Sequence, residues 1–411
     1  MEEKKRGLRC RICTGCGLCP GVTVSSGQTA GMHVLGPEAG AVLFDERRPL
    51  HGGGRRLAAA DIGTTTIAML LYGEDGAVED RYLTVNPQTV YGADVLSRIQ
   101  AAEDPVKAAD LKGMALNVLR QGLLRFKARL APGEELCLVY AANTTMTYLL
   151  QGIDVWELGH APFFASHPKP ADMEIEGVPC FGFPCFSAFV GGDILAGVLA
   201  CRMAEQEELT LLVDLGTNGE MVLGNSRRRI ACATAAGPAF EGGPNRGVWG
   251  ADMISILAAL KREGCMDATG LLAEEFFEKG VRVGNVRVTQ EAVRAVQLAK
   301  AAAAAGIEVL LEKYGVCAEQ VGRVILAGGF GYYLKPSDAA EIGLLPPALA
   351  KKAVAGGNTA LGGCLAAGRA VFAGGRESLE AGLEQTVEGT EIVNLANEPA
   401  FSKKYLEFIN F

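Results

Sequence analysis

Two short segments of this chain are near copies of each other. Asp61-Ile62-Gly63-Thr64-Thr65-Thr66 and Asp214-Leu215-Gly216-Thr217-Asn218-Gly219 each follow an apolar run, and each precedes another. The pattern predicts strand, tight turn, strand, used twice. In such a turn glycine lets the backbone come close to a ligand. Amides and Thr hydroxyls point at anionic oxygens, and the Asp suits a hydrated Mg²⁺. One Asp-Gly turn is ordinary hairpin chemistry. Two, each opening a half of similar length, predict a duplicated α/β domain that clamps a nucleotide between its halves. Asp61 and Asp214 are then the candidate catalytic residues. Gly63, Thr64, Thr65, Gly216, Thr217, Asn218 and Gly219 are the candidate phosphate cradle.

Two more glycine-rich elements fit this scheme. Arg323–Gly331 is a buried-strand pattern ending in the pair Gly328-Gly329, and Ala355–Gly363 runs into an Ala-rich, helix-prone stretch. Glycines at a strand mouth leave room for a flat ring against the backbone, so Gly328 and Gly329 are the candidate bed for adenine or ribose. The plain alternative is a pair of strand-to-helix turns.

At this point the chain resembles the actin, sugar-kinase and heat-shock-chaperone ATPase superfamily. That implies two ribonuclease-H-like lobes with ATP in the cleft. A narrower resemblance covers most of residues 57–411. Asn143-Thr144-Thr145-Met146-Thr147, Ser187–Ile194 and Ala236–Gly243 are similar to segments of the ATPase domain of reductive activators of corrinoid proteins. The resemblance implies ATP-coupled electron transfer from an iron–sulfur cluster to cob(II)alamin. It also implies a corrinoid protein of a methyltransferase system as partner and a low-potential donor such as a ferredoxin or flavodoxin. Better-known members begin with a plant-type ferredoxin domain, for which this chain has no room.

Four of the 12 cysteines fall instead within ten residues, at Cys10, Cys13, Cys16 and Cys19, the last followed by Pro20. C-x₂-C-x₂-C lets one loop present three thiolates to a [4Fe–4S] cube. The final gap differs from that of bacterial ferredoxins, so Cys19 or another residue closes the cube. Four sulfurs also suit tetrahedral zinc, although zinc sites usually come as two spaced pairs. Cys137, Cys201, Cys232, Cys317 and Cys364 lie in apolar or Ala-rich runs and are expected in the core. Cys180 and Cys185 are expected to pack, and Cys265 sits in a polar turn. His33, His51, His160 and His167 show no metal-ligand spacing.

A net charge of −8 argues against a nucleic-acid partner. No uncharged apolar run reaches the ~18 residues of a membrane span, and the N-terminus lacks the apolar core of a signal peptide. A reducing, cytoplasmic setting follows. The expected organisation is a Cys-rich segment at 1–27, a Gly-rich linker at 28–56, a first lobe at 57–205, and a second lobe with a C-terminal arm at 206–411. Within these, Lys107–Leu130 has helical periodicity and Glu135–Asn143 reads as a strand. Asp193 is placed to cap a helix over Ile194–Met203. Glu291–Tyr314 reads as a long helix whose Ala run permits close packing, within the chain or across a homodimer. Glu391–Phe411 reads as a final strand or arm, from near-alternation at Tyr405, Leu406, Phe408, Ile409 and Phe411.

Reducing a low-potential acceptor is uphill. A conformational bias of roughly 10⁴ is about 5.5 kcal/mol, or roughly 240 mV for one electron at about 59 mV per decade. On this reading ATP supplies that bias. Three other functions fit parts of the pattern: an activator of a 2-hydroxyacyl-CoA dehydratase, a small-molecule kinase, and a nucleotide-sensing protein with a structural metal.

Overall fold

The computed structural model describes residues 49–50, 53–216, 218–235, 250–284 and 286–411. The cysteines at 10, 13, 16 and 19, most of the expected linker, Thr217 and residues 236–249 lie outside them. The first strand, β1 (Arg55–Ile62), begins inside the stretch expected as linker.

β1 pairs antiparallel with β2 (Thr66–Tyr72), and β2 with β3 (Val78–Val85). On its other side β1 pairs parallel with β4 (Glu135–Ala142), which pairs parallel with β6 (Val178–Gly182). β5 (Met173–Ile175) closes the edge, giving the order β3-β2-β1-β4-β6-β5. The second sheet repeats the plan. Its strands are β7 (Thr210–Leu215), β8 (Gly219–Gly224), β9 (Arg229–Thr234), β12 (Arg323–Ala327) and β13 (Ala353–Gly357). They run in the order β13-β12-β7-β8-β9, with β14 (Thr390–Val393) added beside β9. β10 (Val281–Val283) and β11 (Val286–Val288) form a separate ribbon. These are the two ribonuclease-H-like lobes expected from the duplicated turns.

Strand alternation assigns each face. Ala58, Ala60 and Ile62 of β1 join Ile67, Met69, Leu71, Leu138 and Tyr140 under two helices, α1 (Val95–Ala102) and α2 (Pro105–Lys127). A third helix on this face, α3 (Thr144–Gln151), is capped by Asn143. On the opposite face Leu57, Ala59, Ala68, Leu70, Val139 and Ala141 pack against helix residues from the far end of the chain: Ala360, Leu361, Cys364, Leu365 and Leu383. The second sheet is sandwiched likewise. Leu211, Val213, Met221, Leu223, Val324 and Leu326 face α5 (Gly250–Arg262) and α6 (Gln290–Tyr314). Leu212, Val222, Ala231 and Ile325 face Ile194 and Val198 of α4 (Gly192–Ala200). After β12 comes α7 (Gly328–Tyr333), and after β13 come α8 (Thr359–Phe372) and α9 (Arg376–Glu388).

α4 and α8 therefore form the middle layer, each packed on a sheet. They approach closely because they carry small residues. A Cβ on Gly363 would lie 2.2 Å from the Ala196 carbonyl oxygen, and one on Gly197 would lie 2.9 Å from Thr359 Oγ1. A Cβ on Gly368 would strike Leu57 at 2.4 Å. Ion pairs at the surface add to the packing: Lys169 with Glu384 at 2.7 Å, and Arg376 with Asp172.

Several expectations are corrected. Asp193 is not the cap of α4. Gly191 is, and Asp193 sits in the first turn with its own carboxylate accepting from Ile194 N at 2.8 Å. The helix ends at Ala200, before Arg202 with its φ of +55°. Only Thr390–Val393 of the C-terminal stretch is a strand. Tyr405 and Leu406 belong to helix α10 (Pro399–Glu407), where Phe401, Tyr405 and Phe408 repeat at i, i+4 and i+7. Pro399 at the start of that helix is the signal that the alternation obscured. Cys317 is exposed rather than in the core, and Cys265 is buried. The Ala run of α6 is taken up within the chain: Gly306 lies against Met221, and α10 packs on the helix. Among the described residues no helix is long and apolar enough to cross a membrane.

Gly363 has no room to relax, since the obstacle is backbone. We expect Gly363→Val to destabilise the protein by about 1–3 kcal/mol or more, measured by chemical denaturation. Gly197→Ala should cost less, because the Thr359 hydroxyl it meets can rotate away.

Candidate functional site

Both D-x-G-T turns sit at the carboxyl ends of the central strands of their sheets, β1 and β7. Each turn closes on itself: Gly63 N donates to Thr66 O at 2.9 Å, and Gly216 N to Asn218 O at 2.8 Å. Asp61 and Asp214 leave the strand ends toward each other and are close enough to interact electrostatically.

Asp61 is held by the second lobe. Asn358 caps α8 by accepting from Leu361 N at 2.8 Å, and its amide donates to Asp61 Oδ2 at 2.7 Å. Gly328 has φ +73°, and a Cβ there would lie 2.5 Å from Asp214 Oδ1. Its glycine is thus required both by the backbone and by the close approach of Asp214. Gly329 follows it in the same short helix. Thr64 is buried, and its hydroxyl accepts from Asn143 Nδ2 at 3.0 Å. The structure brings Asp61, Asp214 and Gly328 together between the two turns that carry Gly63, Thr64, Gly216 and Asn218.

Two further carboxylates join them, neither identified from the sequence as a site residue. Asp193 enters from the first turn of α4 and Glu220 from the start of β8. Burial pushes Asp61 up to about 6, against the pull of the Asn358 amide. It pushes Asp214 up to about 7, with Asp61 adding to the shift. Asp193 rises to about 7 through burial and then through repulsion from Asp61 and Asp214. Glu220 is driven well above its usual range by burial, Asp193 and Asp214, although the Asn218 side chain donates to it. Four carboxylates share a poorly solvated space. Such a site favours protons or a hard cation, and it arranges acid–base groups near neutral pH.

The first turn rests on a buried polar network that sequence patterning also missed. Asn86 Nδ2 donates to Gly63 O at 2.8 Å, and Arg98 Nη2 donates to Thr64 O. Gln88 Oε1 accepts from Arg98 and from Asn86, both at 3.2 Å. Asn86 precedes a proline and Gln88 sits in a polar stretch, so neither carries a motif. A charged residue within the apolar pattern of α1 was the one available hint for Arg98.

Fold and site define a protein of the actin-like ATPase superfamily. Residues 57–206 match the family model described as the RACo middle region. Residues 208–246 and 243–411 match the C-terminal domain of RACo, the ASKHA domain. The chain belongs to the RACo family. It is 28% identical over 371 residues to the corrinoid activation enzyme RamQ of Eubacterium limosum, covering 74% of this chain and 61% of that one. It superposes on the structure of a reductive activator for a corrinoid, iron–sulfur protein with a TM-score of 0.76 and 28% identity. That match covers 89% of this chain and 66% of the other. The chain thus spans just under two thirds of the length of either relative.

The raised carboxylates have a sign that can be tested. A folded-state pKa above the unfolded value means that the native state binds more protons, so stability falls as pH rises. For Asp61 and Asp214 the contribution is present below the usual carboxylate pKa and is lost as pH rises through about 6 and about 7. Metal-free, nucleotide-free protein should therefore melt lower at pH 8 than at pH 5 through these groups. Asp214→Asn should flatten that slope and raise the melting temperature at pH 8. An unchanged slope in Asp214→Asn would contradict the assignment.

Proposed function

We propose that this protein is an ATP-dependent reductive activator that passes a low-potential electron to the cob(II)alamin of a corrinoid protein. The observation that carries this is the group of buried, mutually repelling carboxylates between the two D-x-G-T turns, in a chain of the RACo family. The name of the relative RamQ supports a corrinoid protein as the class of partner, in preference to a dehydratase.

In this reading Asp61 and Asp214 hold a hydrated Mg²⁺. The donor set fits: it is all oxygen and anionic. Among the described residues no three His, Cys, Asp or Glu side chains group as a ready cage, and Mg²⁺ characteristically keeps several of its waters. Gly63, Thr64, Thr65, Gly216, Thr217, Asn218 and Gly219 cradle phosphates, and Gly328 and Gly329 bed the nucleoside. Asp193, with a pKa near neutrality, is suited to take a proton from the attacking water. Lobe closure on ATP biases the partner's corrinoid toward reduction, and hydrolysis resets the complex. Cys10, Cys13, Cys16 and Cys19, outside the described residues, would hold a [4Fe–4S] cluster, which would supply one-electron chemistry with a ferredoxin or flavodoxin as the donor.

The proposed docking face for the partner includes Ser187–Asp193, together with residues 240–247 outside the described set. A hydrogen-bonded line leads there from the first turn. Thr64 is bonded by Asn143, and the next residue, Thr144, donates to Ser187 O at 2.6 Å. Ser187 Oγ accepts from Val190 N at 3.2 Å, and Phe189 between them packs its exposed ring against Phe163 at 5.4 Å. Phe164 and Trp156 are also exposed on this lobe.

The test is the visible absorbance of a corrinoid partner under a low-potential donor, with ATP present or omitted. Reduction to cob(I)alamin should require ATP. Asp214→Ala should lose most ATP turnover, and Cys13→Ser should abolish electron transfer while still binding ATP. Equal reduction without ATP, or full activity in Cys13→Ser, would overturn the coupling.

A further inference from the structure

Arg98 lies on α1, fully buried, where a guanidinium is costly to desolvate. Its donors go to Thr64 O, to Gly92 O at 3.1 Å and to Gln88 Oε1 at 3.2 Å. Gln88 is itself fixed, donating to Leu111 O at 2.8 Å and accepting from Asn86 Nδ2 at 3.2 Å. Asn86 grips the neighbouring carbonyl, that of Gly63, at 2.8 Å. Two consecutive carbonyls of the first phosphate turn are thus drawn toward the buried network of Asn86, Gln88 and Arg98, on the α1 side of the turn.

A trans peptide is planar, so its N–H points opposite to its C=O. Fixing Gly63 O and Thr64 O therefore aims the amides of Thr64 and Thr65 away from α1. The alternation of β1 shows which side that is. Ile99 and Met146 beside Arg98 belong to the core under Ala58, Ala60 and Ile62, whereas Asp61 faces the other way, to Asn358 and the second lobe. The two amides are turned to the cleft side. A charge-assisted bond to the carbonyl also polarises the peptide and strengthens its N–H as a donor.

We propose that Arg98, seated by Gln88 and aided by Asn86, is a positioning residue for polyphosphate. From behind the first turn it orients and polarises the amides that meet the anionic oxygens. This rests on the nucleotide reading of the cleft and adds to it the residue that sets phosphate affinity without touching phosphate. The role is specific to the phosphate chain, so it separates ligands that share a nucleoside.

The experiment compares Mg-ATP and adenosine binding by calorimetry on the full chain, wild type against Arg98→Met and Arg98→Lys. Loss of a charge-assisted bond predicts ATP affinity falling about 10- to 100-fold in Arg98→Met, with adenosine within about twofold of wild type and Arg98→Lys between. Should Arg98→Met fail to fold, Gln88→Glu replaces it. A carboxylate there draws the guanidinium's charge away from Thr64 O, and ATP affinity should again fall while adenosine binding holds. Equal losses for both ligands, or no loss of ATP affinity in a variant whose wild type binds ATP, would overturn the positioning role and leave the nucleotide reading standing. Wild-type protein that binds neither ligand would overturn both.

Discussion

The crossing of α4 and α8 is the constraint on which the rest of the molecule depends. Two helices can share the space between two sheets only if they nearly touch, and Gly197 and Gly363 allow this. The exchange is reciprocal. α4 follows the first sheet in sequence and reaches the second through Ile194 and Val198 while Leu195 and Ala196 stay on the first, whereas α8 follows β13 of the second and packs on the first. Neither lobe can complete its core without the other's helix. The same crossing delivers chemistry, because both helices begin at the cleft. α4 brings Asp193 in its first turn, and α8 brings Asn358 as its cap onto Asp61. Their N-termini add partial positive charge where the carboxylates gather and where a phosphate would lie.

The cleft sets this packing against its own electrostatics. Burying Asp61, Asp193, Asp214 and Glu220 together raises Asp61, Asp193 and Asp214 toward neutral pH and drives Glu220 well above its usual range. That is a poor arrangement for stability and a useful one for a site that receives a cation and a polyanion together. The close approach of Gly328 to Asp214 and the Asn358 bond to Asp61 hold two of the carboxylates in place against their repulsion. The first turn has no such help from its own sequence neighbours. It depends on Asn86, Gln88 and Arg98, which are drawn from the segment after β3 and from α1.

What the sequence made legible was local. Asp-x-Gly-Thr turns between apolar runs gave both lobes and both aspartates, because the glycine requirement and the flanking strands are written within a dozen residues. Lys107–Leu130 was legible from its period and Glu291–Tyr314 from its alanine-rich composition. The supporting residues were not, since their meaning arises only from contacts across the chain: Asn358 meets Asp61 from 297 positions away. Asp193 was misread because Asp after two glycines is good cap chemistry, and only the facing lobe reveals the carboxylates around it. The C-terminal helix was misread because five apolar residues among seven satisfy period 2 nearly as well as period 3.6. Cys317 was misplaced because an apolar neighbourhood in sequence does not fix which side of a turn faces solvent.

A turn that is held from behind has a consequence for how the site communicates. Because Gly63 O is held by Asn86 and Thr64 O by Arg98 of α1, the carbonyl side of the turn is pinned. What stays adjustable is the Thr64 hydroxyl, bonded by Asn143 Nδ2. Asn143 is the cap of α3, accepting from Met146 N at 2.9 Å, and its own Cα is packed where a Cβ on Gly191 would lie, 2.4 Å away. A ligand that engages Thr64 therefore acts first on Asn143, and Asn143 touches the turn that leads to Asp193 and carries Phe189. On the proposed nucleotide reading, the pinned side would supply affinity and the adjustable side the response. Both can belong to the one short turn between β1 and β2 because a peptide plane has two faces and each is used for a different purpose.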